Sequence, residues 1–191
     1  LNPKYPLAYC NRGVVRFDQG LFDEAIADCT KAIDLDSKYA NAYNCRGNPW
    51  RAKGQLDKAL ADFNKAIDLD PKDPAAYSNR GTLYCDDQGL YDLAMQDFKK
   101  AIELDQKFGV AYHNLGNAQA KKNLLDEAIA NFTKSIDLNP KFAVGYAARG
   151  DAKRAKGQFD AAIADFAQAI ALDPKDARIY YRRGNMYHAR G

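Results

Sequence analysis

The pentapeptide YSNRG at residues 77–81 places a tyrosine four residues before a glycine, and this spacing decides the fold. Six pairs with this spacing recur in one register along the 191 residues, and their successive glycines lie 34, 34, 35, 34 and 34 residues apart. A nearly constant period of this length indicates a repeat array, in which each unit buries its hydrophobic face against its neighbours. The six pairs are Tyr9/Gly13, Tyr43/Gly47, Tyr77/Gly81, Tyr112/Gly116, Tyr146/Gly150 and Tyr180/Gly184.

Each of the first five repeats carries a second block of small and aromatic residues. An alanine follows the glycine by twelve residues, or by thirteen in the third repeat, and an aromatic residue or cysteine, a small residue and an Ile-x-Leu pattern come next. These positions recur at helical spacing, so the sequence predicts two amphipathic helices per repeat that stack on neighbouring repeats. The predicted hinges carry residues suited to a left-handed helix end, namely Gly20, Gly54, Gly89, Asn123 and Gly157.

Two consecutive first helices depart from the pattern. Pro49 lies two residues after the glycine of the second repeat, inside the predicted first helix. We expect a helix over about 40–53 that continues through Pro49 with a local kink, although proline inside a helix costs on the order of 3 kcal/mol. The third repeat is one residue longer, so we expect a bulge or a longer hinge near residues 85–87.

An arginine precedes the glycine in five of the six repeats, but the fourth repeat has Leu115 there. An aspartate precedes the aromatic slot of the second helix in four repeats, but the fourth has Asn131. Because both exceptions fall in one repeat, we predict that arginine and aspartate pair between the two helices of a repeat, partly buried. Contact of the arginines with a ligand is the alternative. The predicted pairs are Arg12/Asp28, Arg46/Asp62, Arg80/Asp97 and Arg149/Asp165.

The aromatic-x3-Gly, Ala, aromatic-x2-Ala and terminal proline slots resemble the tetratricopeptide repeat family over the whole chain. The resemblance implies an all-α fold, a right-handed superhelical solenoid of antiparallel helix pairs. We expect a single solenoid domain over 1–191 that was cut from a longer array, with residues 1–5 as the tail of a preceding repeat. The expected repeats are 6–39, 40–73, 74–108, 109–142 and 143–176, followed by the first helix of a sixth repeat at 177–191.

Composition narrows the classes of function. The net charge of +3 comes from interleaved signs, which is typical of a solvated surface and not of a nucleic-acid interface. No apolar run is long enough to span a membrane. The four cysteines form no CxxC pair, so we expect reduced thiols, a cytoplasmic protein, and neither a metal nor another cofactor. No phosphate loop or nucleophile motif is present, so we do not expect an enzyme.

The resemblance also implies that the first helices line a concave groove that binds an extended peptide or partner segment. Asparagine amides there can bond a peptide backbone, and the basic residues near the C-terminal end suit an acidic side chain or a terminal carboxylate. The alternative is that asparagine is merely tolerated at exposed helix positions. The predicted groove residues are Asn44, Asn48, Asn79, His113, Asn114, Asn117, Lys121, Arg154, Arg178, Tyr181, Arg182 and Asn185.

Three other functions stay open beside a general interaction scaffold. A co-chaperone that clamps a C-terminal carboxylate is one; counted from the fourth repeat, Asn117, Arg178 and Arg182 fit that subfamily's pattern, whereas Ala148 breaks it. The second is a recruitment arm of an enzyme whose catalytic domain lies outside this chain. The third is a structural array that self-associates end to end through its truncated ends.

Overall fold

The computed structural model describes residues 5–189 and the side chains through residue 185. The predicted tail at residues 1–5 therefore lies outside the described residues, except for Tyr5. Residues 5–189 contain eleven α-helices, one π-helical segment and no strand. The helices are α1 (Pro6–Asp18), α2 (Phe22–Leu35), α3 (Ala40–Ala52), α4 (Leu56–Leu69), α5 (Pro74–Thr82), α6 (Tyr91–Leu104), α7 (Gly109–Lys121), α8 (Leu125–Leu138), α9 (Ala143–Ala155), α10 (Phe159–Leu172) and α11 (Ala177–Ala189), and the π-helical segment is Leu83–Asp87.

The helices form two compact units, an N-terminal unit of residues 1–104 and a C-terminal unit of residues 105–191. Within each unit every odd-numbered helix packs against the even-numbered helix that follows it, and the next odd-numbered helix packs against that pair. Successive first helices also touch, α1 against α3 and α3 against α5 in the N-terminal unit, and α7 against α9 in the C-terminal unit. Each unit is thus a stack of helix pairs, as the repeat pattern predicts.

The repeated glycine is required by the close approach of the two helices in a pair. A Cβ atom on Gly47 would lie 2.4 Å from Cε1 of Phe63, and one on Gly116 would lie 2.8 Å from Cε1 of Phe132. Both phenylalanine rings are fully buried. Since real Cβ contacts do not occur at such distances, the small residue of the first helix makes room for the aromatic ring of the second.

The predicted hinges are confirmed. The hinge glycines and Asn123 all have positive φ, for example 77° at Gly20 and 60° at Asn123. This left-handed residue ends each first helix and lets the chain turn into the second helix of the repeat.

The helical structure accommodates both departures from the repeat pattern, Pro49 in the second repeat and the extra residue in the third. Helix α3 continues through Pro49, which is fully buried, so the helix is confirmed, while the kink stays a prediction. The extra residue of the third repeat is taken up by the π-helical segment Leu83–Asp87, which confirms the predicted bulge. Arg51 of α3 joins the two features, because its guanidinium pairs with Asp87 and lies 3.3 Å from Asp86.

Candidate functional site

The predicted arginine–aspartate pairs are present in four repeats. Arg46 donates from Nε and Nη2 to the two carboxylate oxygens of Asp62, each at 2.8 Å, and Asp62 is only 6% exposed. The hydrogen bond with Asp62 raises the pKa of Arg46 above its ordinary value. Because the guanidinium bonds both carboxylate oxygens, the pair fixes the angle between the two helices and also balances the buried charge. The other pairs are Arg12/Asp28, Arg80/Asp97 and Arg149/Asp165.

The same arginines also reach the second helix of the preceding repeat. Nη1 of Arg46 donates to Oγ1 of Thr30 at 3.2 Å, and Nη1 of Arg80 donates to Oδ1 of Asn64 at 2.7 Å. Arg149 bonds Thr133 in the C-terminal unit in the same way, at 3.0 Å. These guanidiniums are therefore engaged in the framework, which favours the structural reading over contact with a ligand.

A third position contributes to the contact between the two helices of a repeat, which is called the seam from here on. This position was not predicted from the sequence. The residue three places after the glycine is Arg16 in the first repeat, which pairs with Asp28 at 2.6 Å, and Lys153 in the fifth, which pairs with Asp165 at 2.8 Å. In the fourth repeat the same position holds Gln119, whose Oε1 accepts from Nδ2 of Asn131 at 2.7 Å. A charged or amide residue at this spacing in three of the six repeats was the available signal in the sequence.

In the N-terminal unit the predicted groove residues lie at two depths. Asn44 is 6% exposed, and its Oδ1 accepts a hydrogen bond of 2.9 Å from Nδ2 of Asn79. Asn48 and Asn79 are half-buried. The buried Asn44 therefore holds the side chain of Asn79 in place by this hydrogen bond. Of the three predicted asparagines in this unit, only Asn48 and Asn79 reach the surface.

In the C-terminal unit His113 is buried between two aromatic rings. It is 8% exposed, its ring lies 5.5 Å from that of Phe132 and 5.0 Å from that of Phe142, and Nε2 lies 3.1 Å from Nδ2 of Asn117. Its Nδ1 has no hydrogen-bond partner among the described residues. Burial lowers the pKa of His113 to about 4, so the ring is neutral at physiological pH and does not add to the predicted basic end.

Two adjoining cavities open on the first helices of the C-terminal unit. The first, here the apolar cavity after its larger apolar lining, measures about 430 Å³ and is lined by Phe132, Val144, Ala147, Ala148 and Ile179. Charged side chains line it as well, namely Asp151, Asp173, Asp176, Arg178 and Arg182. The second, here the basic cavity, measures about 500 Å³ and is lined by Lys121, Asp151, Arg154, Tyr181, Arg182 and Asn185. Asp151 and Arg182 line both cavities, so the two cavities adjoin each other at these side chains.

The charges of this site are mostly paired. Nη1 of Arg182 lies 2.6 Å from Oδ2 of Asp151, and Nε of Arg154 lies 3.7 Å from Oδ1 of the same carboxylate. Burial raises the pKa of Asp151, and the two arginines act against that shift. Arg178 is engaged with Asp176. The structure thus brings the predicted basic residues together and pairs them with the carboxylates of Asp151 and Asp176.

The remaining predicted residues lie around these cavities or on the same helices. Tyr181 is 72% exposed, and Lys121, Arg154 and Asn185 are also exposed. Asn114 is half-buried on α7.

Two family profiles match the chain. One, described as TPR repeat, matches residues 50–86, 87–123 and 150–191, and the other, described as tetratricopeptide repeat, matches residues 6–39 and 109–142. The chain belongs to the tetratricopeptide repeat family. Members of this family generally act as non-enzymatic scaffolds for protein–protein interaction, and neither profile describes a catalytic family. No curated protein matches the chain by sequence.

Solved structures share this tetratricopeptide repeat fold. YrrB, described as a TPR protein with an unusual peptide-binding site, is 23% identical, with a TM-score of 0.69 over 96% of this chain and 94% of its own. A chain of the APC/C hetero-tetramer Cut9-Hcn1 is 21% identical, with a TM-score of 0.87 over 99% of this chain and 38% of its own. MamA is 26% identical, with a TM-score of 0.72 over 87% of this chain and 96% of its own. The first two likenesses establish the fold alone.

Two other features of the described residues bear on this tetratricopeptide repeat chain. No described helix is long and apolar enough to cross a membrane. Among the side chains that the structure describes, residues 5–185, histidine, cysteine and acidic residues form no group of three or more that could hold a metal ion.

Proposed function

We propose that the first-helix face of the C-terminal unit binds an extended peptide segment of a partner protein. The observation that carries this proposal is the pair of adjoining cavities that share Asp151 and Arg182. An apolar cavity next to a charged one is suited to two successive side chains of different character. A flat or uniformly charged face would offer no such discrimination.

The apolar cavity sets the first preference. Its volume of about 430 Å³ falls within the range of small-molecule sites and exceeds the volume of one large side chain. Ala148 lies on its wall where a larger side chain would fill the space. The cavity therefore favours a leucine, isoleucine, methionine or phenylalanine side chain of the partner, since burial of such a side chain contributes roughly 1.5–3 kcal/mol.

The basic cavity sets the second preference. Lys121, Arg154 and Arg182 supply three positive charges against the single carboxylate of Asp151. An acidic side chain or a terminal carboxylate next to the apolar residue would balance this excess. This excess of charge supports the carboxylate-clamping adaptor as the second candidate, although the buried, neutral His113 contributes nothing to a clamp.

Fluorescence anisotropy with labelled Gly-Ser-Ser-X-Asp peptides tests both preferences. X is varied among leucine, isoleucine, methionine, phenylalanine and serine, and each peptide is made with a free and an amidated C-terminus. We expect apolar X to bind more tightly than serine. A requirement for the free terminus would make the protein a carboxylate-clamping adaptor, whereas equal binding of both forms would assign the basic cavity to the aspartate side chain.

Matched variants locate the binding. Ala148→Phe fills the apolar cavity and is expected to weaken binding at least about tenfold, whereas Ala167→Phe, at an exposed position of the second helix α10, should not. Lys121→Glu reverses a charge of the basic cavity, and Lys134→Glu makes the same change on α8. Equal affinity of Ala148→Phe and Ala167→Phe for every peptide would contradict the proposed site.

A further inference from the structure

Two cysteine thiols meet on successive first helices of the N-terminal unit. Cys10 and Cys45 lie on α1 and α3, which are in contact, and the two thiols are within side-chain hydrogen-bonding reach of each other. They are 35 residues apart, the same separation as the hydrogen-bonded pair Asn44 and Asn79 one repeat later. Equivalent positions of neighbouring first helices thus face each other, and in the first two repeats both positions hold sulfur.

The two thiols have different surroundings. Cys10 is fully buried and packs with Ala32 and Ala42, whereas Cys45 is half-buried, with its Sγ 3.5 Å from Oδ1 of the exposed Asn41. The hydrogen bond from Cys10 lowers the pKa of Cys45. The same hydrogen bond, followed by burial, raises the pKa of Cys10. Cys45 is thus the accessible thiol that forms a thiolate more readily, and Cys10 is the protected thiol behind it.

We propose that Cys45 and Cys10 are a peroxide-sensitive pair that closes reversibly to a disulfide between α1 and α3. An accessible thiolate beside a second thiol in contact is the arrangement that oxidation to a disulfide requires. Neither the family assignment nor the cavities of the C-terminal unit bear on this site. The proposal therefore stands or falls independently of peptide binding.

The chemistry proceeds in two balanced steps. The Cys45 thiolate attacks one oxygen of hydrogen peroxide, so that an S–O bond forms, the O–O bond breaks and hydroxide leaves. The sulfur of Cys10 then attacks the sulfenic sulfur of Cys45, forming the S–S bond and releasing the hydroxyl as water once the Cys10 proton is transferred. Two thiols are oxidised, one peroxide is reduced to two waters, and a small thiol reductant reverses the reaction by exchange.

The other two cysteines serve as internal controls. Cys29 is fully buried, and burial raises its pKa to about 12, which makes it a poor nucleophile. Cys85 lies buried in the π-helical segment. We expect both to remain reduced at a peroxide concentration that oxidises Cys45.

Mass spectrometry of the intact, folded chain tests the pairing. Trypsin places the four cysteines in separate peptides, with Cys10 in residues 5–12 and Cys45 in residues 39–46. After a hydrogen peroxide titration and alkylation of the remaining thiols, we expect the 5–12 and 39–46 peptides to be linked, and the link to disappear with dithiothreitol. Links that involve Cys29 or Cys85, links between two molecules, or unmodified Cys10 and Cys45 at doses that oxidise the methionines would overturn the proposal.

Single variants test the order of the two steps. In Cys10→Ala the sulfenic acid of Cys45 has no partner, so its labelling by dimedone should rise at least about fivefold over the wild-type chain, whereas Cys29→Ala should leave the labelling and the disulfide unchanged. Circular dichroism checks that each variant is folded. If Cys10→Ala does not fold, Cys45→Ala gives the same test from the half-buried side, because Cys10 should then stay reduced. Equal dimedone labelling with and without Cys10, or oxidation of Cys10 in Cys45→Ala, would refute the mechanism.

Discussion

The seam between the two helices of a repeat is charged in the second repeat and uncharged in the fourth. In the second repeat Arg46 holds the buried carboxylate of Asp62 with two hydrogen bonds. In the fourth repeat Leu115 is buried at the arginine position, and Asn131 bonds Gln119 instead. Both versions bury a phenylalanine against a glycine at the same place.

The comparison shows that the residues of the seam differ between repeats as a set of partners and not one by one. A buried carboxylate needs its cation, because removal of one partner leaves an uncompensated charge, whereas replacement of both by neutral groups can be nearly free of cost. The fourth repeat has leucine in place of arginine, asparagine in place of aspartate, and an amide that the asparagine can bond.

Arg46→Ala should be the most damaging of these changes. It leaves Asp62 buried with no other cation in the described ion pairs, so the free energy of unfolding should fall by about 3 kcal/mol. Urea unfolding followed by circular dichroism measures the change. The double variant Arg46→Leu/Asp62→Asn copies the fourth repeat at the arginine and aspartate positions, with Trp50 left where the fourth repeat has Gln119, and should recover about half of the loss because no buried charge remains. A double variant less stable than Arg46→Ala would contradict the conclusion that the seam residues can be exchanged together at little cost.

His113 gives the fourth repeat a pH dependence that the second repeat lacks, because Asn44 occupies the equivalent position. The pKa of His113 is about 4 when folded and near 6.5 when unfolded, so its contribution to stability is complete above pH 6.5 and is lost as the pH falls toward 4. Between pH 7 and pH 5 the wild-type chain should lose about 2 kcal/mol more of unfolding free energy than His113→Phe. Equal losses in urea titrations at the two pH values would refute this assignment.

Arg149→Ala tests the seam of the fifth repeat, where Asp165 has two cationic partners. Asp165 keeps Lys153 at 2.8 Å after this change, so the free energy of unfolding should fall by only about 1.5 kcal/mol, roughly half the effect of Arg46→Ala. The same urea titration measures both variants. Combining Arg149→Ala with Lys153→Ala should raise the loss to the level seen for Arg46→Ala, and a double variant no worse than the single one would argue against the second cation.

Pro49→Ala should be the smallest effect and the only stabilising one. The fourth repeat has the buried Ala118 at this position, and alanine restores the helical hydrogen bond that proline lacks. The gain in helix propensity of about 3 kcal/mol exceeds the stabilisation that the buried proline ring provides by packing, and we expect a net gain of about 1 kcal/mol in thermal or urea unfolding. Destabilisation would mean that the ring of Pro49 fills its site better than its backbone disturbs the helix.

The sequence was sufficient for the repeats, the hinges and the charged seam because each depends on the same spacing repeated along the chain. A 34-residue period fixes which residues share a face, and the joint change of Leu115 and Asn131 indicates contact between those positions. Even Pro49 could be placed inside a helix, since the periodic positions around it outweigh the turn signal.

How deeply each predicted groove residue is buried could not be predicted from the repeat spacing. The residue three places before the glycine is buried in each of the first five repeats, although it is Asn44 in one and His113 in another. A polar residue at an apparently exposed helix position gives no sign of burial until the neighbouring repeat is in place. The pairing of Arg182 with Asp151, 31 residues earlier, likewise depends on the approach of α11 to α9.

Arg46 and Arg80 have a consequence for how the N-terminal unit unfolds. Each binds the second helix of its own repeat and that of the repeat before it, so one side chain contributes both to the intrinsic stability of a repeat and to its coupling with a neighbour. In a one-dimensional array these two quantities determine whether repeats open singly or together. Amide hydrogens of α2, α4 and α6 should therefore exchange as a single cooperative block, and loss of either arginine would divide that block at its own position.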